Sequence, residues 1–512
     1  MALSQIYSIA LLGLEAALVE VQVDVSFACE KSSLVIVGLP DTAVKESKER
    51  VLTAVKNAGF SLQKIACTVN LAPGDLRKEG AVYDLPIALG LLRALGKISP
   101  EIPLEDYLVA GELGLGGETR PIYGAVALAM LARQLGKKGV IVPAANAKEA
   151  GAVPHIAVFP VSHLKEIAEL FSFPSKCIDS SHTQIHSLFK PDTPVIDFAD
   201  IKGQAHAKRA LEIAAAGGHN VVLCGPPGSG KTMLAKALIG IMPAFTIEEA
   251  LETTKIHSVA GLLQEGQSLV AQRPFRAPHH TVSYAGLIGG GTTPRPGEVS
   301  LAHNGILFLD ELPEFSRTVL EVLRQPLEDG YVTISRANGH FTFPTKFICV
   351  AAMNPCPCGM LGHPEKPCKD TMMQVEKYRG KVSGPLWDRL QDMHVEVPAL
   401  RYRDMQRQQL GEPSVSIRER VMSARERQHR RFVGSRTNAS MNSRELRTHA
   451  PLKEACQDLL RQAMDVMGVS ARACDRLVRV ARTIADLEGR EEIQSDHMME
   501  AINYRSMAAT SS

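Results

Sequence analysis

Gly225, Pro226, Pro227, Gly228, Ser229, Gly230, Lys231 and Thr232 follow an apolar run and precede a helical pattern. That order reads as strand, phosphate loop, helix. In such a loop backbone N–H groups wrap phosphate oxygens, the lysine reaches the β and γ phosphates, and the hydroxyl ligates Mg²⁺. ATP and Mg²⁺ are therefore the expected cofactors. The later apolar run of GILFLDELPEF ends in Asp310 and Glu311. Asp310 could hold the Mg²⁺ through water, and Glu311 could orient and polarise an attacking water. A further apolar run, KFICVAAMN, ends in Asn354. Its side chain would lie beside the γ phosphate if that strand neighbours the previous one.

Two arginines could act on the same phosphate. Arg389, in SGPLWDRLQD, could reach into a neighbouring copy's site, where a guanidinium would offset charge on the γ phosphoryl group, or it could pair with Asp388 or Asp392. Arg472 starts a helix near the end of the chain and could close the last domain over the same nucleotide, or cap its helix.

Three further groups invite chemistry. EDGYVTISRANGHFTFPTKF reads as a hairpin turning at Asn338-Gly339 and carrying Arg336, His340 and Lys346, which could project toward a central axis and grip phosphates. NPCPCGMLGHPEKPCKD offers Cys356, Cys358 and Cys368 with Asp370 or His363 as a fourth ligand for tetrahedral Zn²⁺; three free thiols in a loop is the other reading. His279 and His280 are adjacent in an extended segment, so their rings should point to opposite sides and not share an ion.

A chain of 512 residues is too long for one core. Hydrophobic content of 45% with 22% charged residues is ordinary for a globular protein. The apolar amino terminus lacks a basic head and carries Glu15 and Glu20, so it reads as a buried strand. The expected location is the cytoplasm, without membrane contact. Ten scattered cysteines do not form a secreted disulfide framework. The pattern divides at 1–171, where strands alternate with helices, a Pro/Ser/His-rich linker at 172–196, an α/β block at 197–400 implying a parallel sheet, and a helical region at 401–512. Residues 401–450 hold twelve arginines, no lysine and five acidic residues. Such a stretch could meet phosphates or be a solvated helical face with its own ion pairs.

The order of these elements resembles the AAA+ ATPases of the magnesium-chelatase-like group, in particular the bacterial ComM family, also called YifB. The resemblance rests on DFADIKGQAHAKRALEIAAAGGHN, RPFRAPHHTVSYAGLIGGGTTPRPGEVSLAHNGILFLDELPEF, MNPCPCG, SGPLWDR and ARTIADLEG, and covers nearly the whole chain. It implies an AAA+ core with an insertion from about Ile256 to Pro296, a pre-sensor hairpin at Tyr331 to Phe347, and a helical lid. By resemblance Lys231, Thr232, Asp310, Glu311, Asn354, Arg389 and Arg472 occupy the Walker A, Walker B, first-sensor, finger and second-sensor positions, and the assembly is a ring of six. It implies helicase and branch-migration work on single-stranded or branched DNA during natural transformation; protein remodelling or chelatase-type work on a protein partner is the alternative. NLAPGDLRKEGAVYDLPIALGLL and LVAGELGLGGETRPIYGAVALAM resemble the S5-like α+β proteolytic domain of Lon. KEGAVYDLP lacks the serine and PIYGAVALAM the lysine of that mechanism, so no peptidase activity is expected.

Overall fold

The computed structural model describes residues 2–27, 32–62, 65–99, 102–168, 178–179, 196–264, 266–291, 294–336, 339–363, 365–399, 411–432, 434, 436–468 and 470–509. Most of the expected linker at 172–196, the hairpin-tip Asn338 and the basic stretch 401–410 lie outside them. The chain forms two compact units, residues 1–189 with 246–271, and residues 190–245 with 272–512.

In the first unit, β1 (Ala2–Leu12) and β2 (Glu15–Phe27) form an antiparallel hairpin in which Ile6 faces Val21 and Ile9 faces Leu18. Ile6, Val19, Val21 and Val23 are fully buried, so the amino terminus is a core ribbon. Burial of that kind contributes about 1.5–3 kcal/mol per large aliphatic side chain. Adding β3 (Ser33–Val37), β4 (Ile65–Ala72), β5 (Tyr107–Val109), β6 (Gly139–Pro143), β7 (Ala157–Val161) and β8 (Ile178–Asp179) gives an eight-stranded mixed sheet in the order β8-β7-β6-β5-β1-β2-β4-β3. The helix Ile247–Ala260, opened by a capping box between Thr246 and Glu249, also belongs to this unit. Leu251 and Leu269 join its core with Val126 and Leu128, and the Ser258 hydroxyl donates to buried Glu149 while accepting from Gly124 N–H at 2.9 Å. Thus 246–271, which the sequence pattern runs on with the nucleotide-binding block, packs with the amino-terminal unit.

The second unit is built on β9 (Val221–Cys224), β10 (Phe275–Arg276), β11 (Ile306–Leu309), β14 (Ile348–Met353) and β15 (Met393–Glu396), with β12 (Tyr331–Arg336) and β13 (Gly339–Pro344) forming a separate hairpin. The five-stranded sheet runs β10-β11-β14-β9-β15, with every neighbouring pair parallel. All residues of β9, β11 and β14 are buried, as expected of strands covered on both faces. The helical tail shares this core: Ile417, Val421, Leu477, Ile484 and Tyr504 cluster with Leu211, Leu223 and Val395.

That packing decides the arginine-rich stretch. Arg425 donates to Ala215 O and Arg418 to Gly240 O, satisfying carbonyls near the carboxyl ends of the helices Ala205–Gly217 and Lys231–Ile241. Such carbonyls have no partner within their own helix and carry the negative end of its dipole. Arg420 pairs with Glu212 and Glu412, Arg431 with Asp486, and Arg436 with Glu445. Arg418, Arg420 and Arg425 thus bind the tail to the helices on the sheet, while Arg431 and Arg436 pair within the tail. No helix among the described residues is long and apolar enough to cross a membrane.

Candidate nucleotide site

Because the sheet is parallel, the segments leaving its strands all emerge at one carboxyl-terminal edge. Cys224 runs into the phosphate loop, Leu309 into Asp310 and Met353 into Asn354, and β14 lies between β11 and β9 as the Asn354 reading requires. The crevice beyond these strand ends is where open α/β sheets bind ligands.

The loop has the shape of a cradle. A Cβ on Gly225 would sit 2.1 Å from Val397 O, and Gly230 has a φ of 92°, so neither position suits another residue. Ser229 Oγ is buried with no hydrogen-bond partner. Lys231 is buried, and its Nζ donates to Gly225 O at 2.6 Å, Pro226 O at 2.9 Å and Asn354 Oδ1 at 3.3 Å. Burial pushes its pKa below the usual lysine value, against the opposing charge of Asp310. An ammonium held by its own loop carbonyls, together with an unsatisfied hydroxyl at a helix start, fits a triphosphate. Thr232 Oγ1 donates to Asp310 Oδ2 at 3.0 Å, so the two expected Mg²⁺ ligands are already adjacent.

Glu311 is held in the left-handed region at φ 52°, uncommon for a residue with a side chain, with its N–H donating to Asp310 Oδ1 at 3.0 Å. Its Oε2 lies 3.5 Å from His280 Nδ1, a partner that the sequence reading did not assign. The histidine expectation needs correction as well. The rings of His279 and His280 lie on one side, with centroids 4.0 Å apart, because the chain turns there and Val282 N–H donates to His279 O. Alternation holds for extended strands and fails at a turn.

Arg389 and Arg472 are placed elsewhere. Arg389 stands just before β15, at the amino-terminal edge of the sheet, where Asn220, immediately before β9, donates from Nδ2 to Arg389 O at 3.2 Å. Asn220 also accepts from Cys349 N–H at 2.9 Å, and its own N–H donates to Asp392 at 2.9 Å, so it ties three strand starts together. A four-residue strand spans about 13 Å, which separates this edge from the phosphate loop. Arg389 pairs with Glu328, and the acids the sequence offered are taken: Asp388 by Arg505 and Asp392 by Arg476. Arg472 meets the same Glu328, and the cap of its helix is Ser470. Both arginines therefore stand away from the phosphate loop of their own chain.

On the hairpin, Arg336 and His340 are exposed at the end next to the turn, His340 Nδ1 bonding Ser335 Oγ at 2.9 Å and Arg336 Nε donating to Gly291 O at 3.3 Å. Lys346 is exposed too but comes after β13 at the other end of the ribbon, where its N–H donates to His303. The three residues do not form one cluster. Val332, Ile334 and Phe343 pin one face, in whose register Arg336 also falls, while His340, paired with Ser335, lies on the other.

Cys356, Cys358, Cys368 and Asp370 come together, while His363 turns its Nδ1 to the N–H groups of Glu365 and Lys366.

Comparison with known proteins agrees with this architecture. Residues 197–405 match the family described as magnesium chelatase, subunit ChlI; residues 21–146 match subunit ChlI of Mg-chelatase, and 411–505 the ChlI carboxyl-terminal family. The chain is 42% identical to the competence protein ComM of Haemophilus influenzae over 99% of this chain and 98% of that one. It is 40% identical to the YifB protein of Salmonella typhimurium over the same shares. A shorter similarity, 28% identity over a quarter of each chain, links it to Lon protease 2 of Bacillus subtilis.

Proposed function

The chain belongs to the ComM family of magnesium-chelatase-like AAA+ ATPases, and on that premise we propose that it is a ring-forming ATP-driven motor acting on branched or single-stranded DNA. The observation that carries this reading is the placement of Arg389 and Arg472 at the sheet edge opposite their own phosphate loop. A guanidinium there serves a nucleotide only when a second copy presents its site, so the subunits form a heterologous, ring-closing contact. Lys231 and Thr232 hold the triphosphate, Asp310 orients the Mg²⁺ shell, Asn354 and Glu311 position the attacking water, and the two arginines come from the neighbour. Mg²⁺, held by Thr232 and Asp310, would supply charge neutralisation to the triphosphate. Arg336 and His340 are both exposed at the turn end of the ribbon, and a ring of such ribbons would grip phosphates with little regard to sequence. Branch migration during natural transformation is the work this reading assigns.

Tyr284, 51% exposed at the head of the helix Tyr284–Ile288, favours a second reading, since an exposed aromatic could grip polypeptide in a remodelling or chelatase-type ATPase. ATPase assays with forked DNA, single-stranded DNA or unfolded protein separate the two. Stimulation by DNA alone supports the motor; stimulation by polypeptide alone overturns it.

A further inference from the structure

Asn354, which touches Lys231, is joined almost directly to the loop carrying Cys356 and Cys358. Cys356 Sγ lies 3.4 Å from Cys358 Sγ and 3.6 Å from Cys368 Sγ, and Cys358 and Cys368 are also 3.6 Å apart. Asp370 Oδ2 is 3.8 Å from Cys368 Sγ, and all four ligand atoms fall within 4.8 Å of one another. In a tetrahedron with Zn–S bonds of about 2.3 Å, the sulfurs stand about 3.8 Å apart, close to this spacing. A disulfide would need about 2.05 Å. The surroundings are already arranged for negative ligands: Leu361 N–H points at Cys356 Sγ at 3.4 Å, and Cys358 N–H donates to Asp370 Oδ2 at 2.8 Å.

We propose that Cys356, Cys358, Cys368 and Asp370 bind one Zn²⁺ as a closed structural site that braces the phosphate loop. Three thiolates select a borderline-soft ion over Mg²⁺ or Ca²⁺, which take oxygen ligands. Four protein ligands leave no position for a reacting water. The bracing rests on contact. Gly359, at φ 76°, approaches so closely that a Cβ would meet Pro227 Cδ at 2.6 Å, and Arg379 donates to Pro355 O at 3.1 Å from the helix that begins after Asp370. Tying Cys368 and Asp370 back to Cys356 and Cys358 therefore holds the segment between Asn354 and Pro227. The proposal is independent of the DNA reading, because metal is measured without DNA or nucleotide.

Full-length protein purified without a metal-affinity tag or chelator should contain about one zinc per chain, with an X-ray absorption spectrum of three sulfurs near 2.3 Å and one oxygen near 2.0 Å. Asp370→Asn, a change of little volume, should weaken zinc binding at least tenfold, and Asp370→Cys should retain zinc at chelator concentrations that strip the wild type. Stripped wild type, checked for a folded far-UV spectrum, should bind a fluorescent ATP analogue about tenfold more weakly and recover when zinc is restored. Less than a tenth of an equivalent after growth with added zinc, with all three thiols reacting freely, would overturn the site. Equal zinc affinity in wild type and Asp370→Asn would overturn its fourth ligand. Unchanged nucleotide affinity after stripping would overturn the bracing role.

Discussion

Arg389 and Arg472 hold opposite oxygens of a single carboxylate: Arg389 Nε donates to Glu328 Oε2 at 2.7 Å, and Arg472 donates to Oε1. The Arg389 hydrogen bond, aided by the charges of both guanidiniums, keeps the Glu328 carboxyl below the usual glutamate pKa. Glu328 thus gathers at one exposed point two cations that are far apart in sequence.

If both arginines complete a neighbour's site, each should be needed for turnover and dispensable for folding. Arg389→Ala should lower kcat by about 10³-fold with nucleotide affinity nearly unchanged. Arg389→Lys should rescue little, because a point charge cannot reproduce the planar fork. Steady-state ATPase assays with nucleotide-binding titrations check both.

Glu311→Gln removes the carboxylate that orients water and leaves the phosphate cradle intact. Binding of ATP should persist while turnover falls by about 10²–10⁴-fold. Thr232→Val removes the hydroxyl that meets Asp310, so the Mg²⁺ concentration for half-maximal ATPase should rise. Titration of Mg²⁺ against rate distinguishes the two variants.

His219 and His394 are buried in the second unit, His219 bonded to Thr483 Oγ1 at 2.7 Å and His394 to Gln391 at 3.1 Å. Burial lowers each pKa to about 4. The unfolded chain therefore takes up protons that the folded chain refuses, and stability is full above pH 6.5 and falls as pH drops toward 4. Each histidine contributes a slope of up to about 1.4 kcal/mol per pH unit in that window. Urea midpoints measured between pH 7.5 and 5 should show the decline, with a shallower slope in His219→Gln.

For the hairpin, Arg336→Ala should weaken DNA binding about equally across sequences and reduce the salt slope by about one. Lys346→Ala, at the other end of the ribbon, should change it less. Binding isotherms at several salt concentrations test the difference.

The candidate nucleotide site was legible in the sequence because its parts are local: a glycine loop after an apolar run, acids at a strand end, an asparagine at the next. The parallel sheet then brings strand ends together without further instruction. The hidden relationships were non-local ones. Nothing near Glu328 or Asn220 signals that one gathers two arginines and the other ties three strand starts. The arginines after residue 410 looked like a ligand surface or a solvated face, and became helix-end partners only once Ala215 and Gly240 were brought beside them. The helix Ile247–Ala260 is announced by its Thr246/Glu249 capping box, which does not say which core receives it.

Mixed-subunit ATPase measurement addresses the shared site most directly. Lys231→Ala chains keep both arginines, Arg389→Ala/Arg472→Ala chains keep the phosphate cradle, and each alone should be nearly inactive. Equimolar mixing should restore about a quarter of wild-type turnover, since a competent interface needs one partner of each kind in the right order. Mixtures that assemble yet stay as inactive as the separate variants would contradict a nucleotide site shared between neighbouring subunits.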